Sequence, residues 1–101
     1  MVHAVSEGVC EIDPIDFVKD SDGFIILRPE YNNLFKCKNF AVKEVGKPYD
    51  FLFNKNDGSR YYCHEFVSAI LKQDNIIVEP EGDIIYADDI INKFKVILRS
   101  P

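Results

Sequence analysis

Positive charge is scarce in this 101-residue chain, with 12 Lys and Arg against 17 Asp and Glu and a net charge of −5. A nucleic-acid backbone is thereby excluded as main partner, because phosphate contacts need clustered Lys and Arg. Lys36, Lys38 and Lys43 read instead as a scattered, solvated face. No apolar run approaches the roughly 20 residues that span a bilayer, and the opening MVHAVSEGVC lacks the charged start and apolar stretch of a signal peptide. The expectation is a soluble protein with no membrane span, cytoplasmic by default. Cys10, Cys37 and Cys63 are an odd, widely spaced set with no CxxC pair, which argues against a disulfide framework and a zinc knuckle alike. Repeats and Gly-rich phosphate loops are absent as well. Glu79, Glu81, Asp83, Asp88 and Asp89 do not follow the spacing of an EF-hand loop. Neither a metal nor a cofactor is expected.

What is present suits one small α+β domain, residues 1–101, with enough apolar side chains for a core: 47% of the chain is hydrophobic. Val2–Val5 and Gly8–Ile12 predict two brief strands or a hairpin, and Asp13-Pro14 starts a short helix ending near Lys19. The continuous apolar run Phe24–Leu27 predicts a central strand buried on both faces, closed by Arg28-Pro29. Asn32 and Asn33 cap a helix through about Leu34–Val45, with Leu34, Cys37, Ala41, Val42 and Val45 on its apolar side and Gly46 as its stop. Ile76–Val78 predicts a strand, Tyr86–Asp89 leads into a short helix carrying Ile90, Ile91 and Phe94, and Lys95–Leu98 is a last strand. The sheet is expected to be small and mainly antiparallel.

The stretch Gly46–Asp74, GKPYDFLFNKNDGSRYYCHEFVSAILKQD, places one cysteine at the start of an amphipathic helix. Phe66, Val67, Ile70 and Leu71 recur behind Cys63 at helical spacing and predict a single buried stripe. Asp57, Gly58 and Ser59 are of the kind that cap a helix start. A thiol in that first turn faces unpaired N–H groups and the positive end of the helix dipole, which favour thiolate. Packing is the competing reading, since free cysteines are commonly buried.

The phrase G-x-P-Y-D, a turn-rich gap, then Y-C-x-E-[LFV]-V is carried here by Gly46, Pro48, Tyr49, Asp50, Tyr62, Cys63, Glu65 and Val67. It resembles the permuted NlpC-type, YiiX-like cysteine hydrolases of papain-like fold, over the C-terminal two-thirds of that family's domain and from Val2 to at least Leu71 here. His64 stands where the family usually has serine. The resemblance implies that Cys63 is the nucleophile and that His3 lies on the strand whose polar residue orients the catalytic histidine. The strand bearing that histidine would precede Met1, so the domain is expected to be incomplete at its N-terminus. His3 and His64 are the imidazoles at hand. Neighbouring helical side chains point about 100° apart, which gives His64 a rim position, while His3 could reach the thiol if its strand packs beside the helix. Tyr49 is expected to line the substrate cleft, Tyr62 to help the helix N–H groups at the oxyanion, and Arg28 to pair with Glu65 and brace the helix.

Two functions follow. The first is a thiol hydrolase, amidase or peptidase or esterase, working through a Cys63 acyl-enzyme on a peptide, peptidoglycan or acyl-lipid substrate. The second is a noncatalytic binding or structural domain that kept the cysteine without its base. An unfilled strand position beside His3 also predicts self-association through an open sheet edge.

Overall fold

The computed structural model describes residues 1–53, 58–80 and 82–100. Val2–Val5 (β1) and Gly8–Glu11 (β2) form an antiparallel hairpin in which His3 lies opposite Cys10. Gly8 has φ of +106°, and a Cβ there would meet the Lys47 carbonyl oxygen at 2.6 Å. Only glycine fits this close approach. It lets Val9 donate to Lys47 O at 2.8 Å and accept from Gly46 N at 2.8 Å, tying the hairpin to the turn that leads toward Tyr49.

Asp13 caps Pro14–Lys19 (α1) by accepting the Ile15 N–H at 2.8 Å, with proline in the first turn as the sequence predicts. Ile25–Arg28 (β3) pairs antiparallel with Lys95–Arg99 (β4), with an irregularity between Ile26 and Leu27. The expected central strand is thus corrected. β3 has one partner and alternates half-buried with exposed residues, because the second sheet has two strands and helices cover one of its faces. The antiparallel pairing and the α+β class hold, but the strands sort into two separate sheets.

Leu34–Lys43 (α2) is capped by Asn33 and buries Cys37 and Ala41, while Leu34, Val42 and Val45 are exposed, so its apolar side is narrower than the periodicity suggested. Ile76–Val78 forms no strand, yet Val78 is buried. Its apolar side chain fills a core position without ladder partners. Ala87–Ile91 (α4) precedes β4.

Cys63–Lys72 (α3) joins two apolar clusters. Phe66, 1% exposed, packs with Ala4, Val9, Ala41 and Tyr61, and one turn on Leu71 packs with Val78 and Ile90. Burying a phenylalanine this completely stabilises by about 2–3 kcal/mol. The helix bearing the cysteine is the most firmly seated element, packed on both β1 and α2. Among the described residues no helix is long and apolar enough to cross a membrane.

Candidate active site

α3 begins at Cys63, and its cap differs from the one expected. Asp57 lies outside the described residues, and Gly58 and Ser59 precede the helix by several positions. The preceding residue is Tyr62, whose backbone N–H donates to the Glu65 carboxylate at 3.4 Å. This is the return half of a capping box, with a tyrosine where serine or threonine is usual. The Y-C-x-E spacing therefore has a local physical purpose: Glu65 in the third helical position reaches back to fix the peptide immediately before Cys63.

Glu65 does not pair with Arg28. Among the described residues no ion pair joins the two: Arg28 is exposed at the end of β3, and its charge acts on the Tyr31 phenol. The expectation of a bracing ion pair fails because Arg28 belongs to the outer sheet, while Glu65 is turned toward the chain that precedes its own helix. Burial raises the Glu65 carboxyl to about 7, with the Tyr62 N–H opposing and the nearby Asp50 adding to the rise.

That rise has a sign. Between its ordinary value of 4.5 and about 7, the folded protein retains a proton that the unfolded chain has released, so stability falls as pH increases through this window. Glu65→Gln keeps an acceptor for Tyr62 N–H without the charge. It is expected to stabilise the fold at pH 8 by about 1–2 kcal/mol after solvent screening and to be near neutral at pH 4. Urea midpoints at the two pH values measure the difference.

The Cys63 thiol is half-buried. Two side chains act on it. The His64 imidazole is the largest influence on it and holds the thiol below its ordinary range against the opposing effect of burial. The thiol in turn raises the imidazole against the effect of burial, aided by the Ile85 backbone and by the negative charge of Asp89. On the other side stands Tyr49. Its phenol is close enough to Cys63 to help lower the thiol, while burial keeps the phenol protonated above its ordinary range.

The sequence places Tyr49 on a short aromatic segment, and the structure explains its aim. Tyr49 and Tyr61 form an isolated parallel bridge, with Asp50 N–H to Tyr61 O at 3.0 Å and Tyr61 N–H to Pro48 O at 3.1 Å. This registers residue 49 beside the Tyr61-Tyr62-Cys63 approach, and Phe51 leans on the Tyr49 ring at 4.9 Å between centroids. Tyr62 is otherwise engaged: it is buried, and its hydroxyl accepts the Ile85 N–H at 3.1 Å. Ile85 thus holds Tyr62 with its N–H and its backbone also acts on the His64 ring.

His3 faces elsewhere in its recorded contacts. Its ring meets Phe17 edge-on at 5.9 Å, its Nδ1 is buried without a hydrogen-bond partner, and it is not among the groups that shift the Cys63 thiol. Sequence reasoning assigned His64 to the rim because a mid-helix neighbour points away. In the structure His64 stands in the first turn of α3 and is the largest influence on the thiol. The available signal was the one departure from the family phrase, histidine directly after the cysteine. No metal-binding cluster of His, Cys, Asp and Glu forms among the described residues.

Comparison with curated proteins and with solved structures gave no match. A family model does match, that of the permuted papain-like amidase enzymes, YaeF/YiiX, C92 family, over residues 2–96. A papain-like, permuted hydrolase agrees with the helix-borne thiol and the α+β frame around it, and the chain belongs to this amidase family.

Proposed function

We propose that the protein is a cysteine amidase in which Cys63 forms the acyl-enzyme, His64 is its acid and base, and Tyr49 with the Cys63 N–H binds the oxyanion. The observation that carries this reading is that the half-buried Cys63 thiol at the start of α3 is held below its ordinary range by an imidazole, His64, and a phenol, Tyr49. A hydrogen-bonded thiol and imidazole exchange a proton to give thiolate and imidazolium, the activated form of a cysteine nucleophile. The Cys63 N–H and the Tyr49 hydroxyl lie beside one another. A carbonyl oxygen entering between them receives both donors.

The thiolate adds to the amide carbon and the carbonyl π pair moves onto oxygen. On collapse the C–N bond breaks, and the amine leaves with the imidazolium proton. Water then adds to the thioester while His64 takes one of its protons. The C–S bond breaks, the thiolate returns beside imidazolium, and the acid departs as carboxylate, releasing its proton to solvent.

Iodoacetamide labelling of Cys63 across pH tests the activation, in protein carrying Cys10→Ser and Cys37→Ala. The expected midpoint lies well below the ordinary value of about 8.5. A midpoint at that ordinary value overturns the reading. Rates alone do not suffice, since a thiolate of lower pKa is also intrinsically less nucleophilic.

A further inference from the structure

We infer that the outward face of α2 is a docking surface for an anionic lipid bilayer, with Phe35 entering the headgroup boundary and lysines on either side of it meeting the headgroups. This goes beyond the chemistry at Cys63 and does not depend on it. α2 carries three lysines and neither Asp nor Glu. Because the whole chain is −5, the remainder is more acidic still. Lys36, Lys38 and Lys43, scattered in the sequence reading, are therefore gathered on one element. All three are exposed, and none forms an ion pair among the described residues. Glu44, the acid that follows the helix, is buried and paired with Lys47.

The turn of the helix arranges these charges about an apolar ridge. At about 100° per residue, Cys37 and Ala41 face the core, and Phe35 and Val42 come out on the opposite side. Phe35 is 74% exposed and Val42 49%. They stand two turns apart, about 10 Å along the axis. Lys36 and Lys43 follow one flank of this ridge and Lys38 the other, with Leu34, 56% exposed, at its end. The surface continues onto the hairpin through a hollow lined by Met1, Val2, Ala41 and Val42, where Lys38 and Glu11 are the charged side chains.

Charge selects the occupant. When the ridge pairs with its own copy, parallel or antiparallel, a lysine flank meets a lysine flank, and like charges repel. The partner is therefore anionic. It is also fluid, because the ridge offers apolar contact with little for a directional match: within α2, Asn39 is the one exposed side chain that is polar and uncharged. A bilayer meets both demands. An apolar helix face rimmed by lysines binds at the boundary between headgroups and acyl chains. The lysine stems lie along the ridge while their ammonium groups stay in water among the lipid phosphates.

Sedimentation of the full chain with mixed phosphatidylcholine–phosphatidylserine vesicles, against vesicles of phosphatidylcholine alone, provides the test. The expected result is binding to the mixed vesicles at least tenfold tighter, weakening as salt shortens the screening length from about 10 Å at 0.1 M to about 3 Å at 1 M. Each of Lys36→Gln, Lys38→Gln and Lys43→Gln is expected to lower the partition coefficient about fivefold, and Phe35→Ala about tenfold. Lys93→Gln and Lys95→Gln, off this helix, leave it unchanged. The chain has no tryptophan, so Phe35→Trp supplies a single reporter, whose emission is expected to shift to the blue and to be quenched by brominated acyl chains. Equal binding to both kinds of vesicle overturns the inference, and so does tryptophan emission that vesicles leave unmoved. Equal losses from Lys93→Gln and from the α2 lysine variants overturn it as well. A concentration-dependent dimer that Phe35→Ala dissolves gives the face to a second copy instead. Polyglutamate bound as tightly as the mixed vesicles, and indifferently to Phe35→Ala, gives it to an acidic protein; either result overturns the bilayer. The dependence on lipid charge and salt is read on the unsubstituted chain, so it stands whatever the folding of a variant.

Discussion

Replacing His64 with alanine is expected to return the Cys63 thiol to a midpoint near about 8.5 and to lower kcat on an acyl anilide by about 10²–10⁴-fold. Both effects have one origin. The imidazole is the largest influence holding the thiol down, and in the proposed mechanism the same imidazole gives the departing amine its proton. On that proposal activity requires thiolate and imidazolium together. The rate should rise with pH through a midpoint below the ordinary thiol value and fall through one above the ordinary 6.5 of histidine, both belonging to the pair. His64→Ala removes the alkaline limb and moves the acid limb upward. His3→Ala is the control with most information. With its ring against Phe17, it is expected to leave the labelling midpoint of Cys63 unchanged. A midpoint that moves with His3 and not with His64 assigns the base to the strand residue instead.

Removing one hydroxyl should have the next largest effect. Tyr49→Phe keeps the ring that packs against Phe51 and deletes the donor facing the sulfur and the incoming carbonyl oxygen. Loss of one oxyanion donor costs about 10²–10³-fold in kcat, and KM should change little because the donor matters most once charge has moved onto oxygen. Tyr62→Phe separates this from a general effect of site tyrosines. Its hydroxyl serves the Ile85 N–H, so its loss leaves a polar group short of a partner and lowers stability by about 1 kcal/mol, with a smaller fall in rate. Equal losses from both variants, with equal shifts in urea midpoint, would reduce Tyr49 to a packing residue.

The sequence alone determined where the candidate cysteine sits. Helical spacing of Phe66, Val67, Ile70 and Leu71 behind Cys63 is a local pattern, as are the Asp13-Pro14 helix start and the hairpin around Ser6-Glu7, and these recur in the structure except that Val67 is exposed. The family phrase was likewise legible, because its residues lie within one continuous stretch. The identities of the groups that meet the sulfur were not. His64 acts on the thiol with the Ile85 backbone, 21 positions further on in the loop before α4, acting on its ring. Tyr49 comes because the Tyr49–Tyr61 bridge folds the preceding loop back on itself. Arg28 was assigned to Glu65 by motif position, and two separate sheets keep them apart. Periodicity reports which face of an element is apolar, whereas the partners of a side chain depend on contacts between segments distant in the chain. Cys63 could therefore be read from its neighbours in sequence, and only packing in three dimensions decided which imidazole and which phenol would surround it.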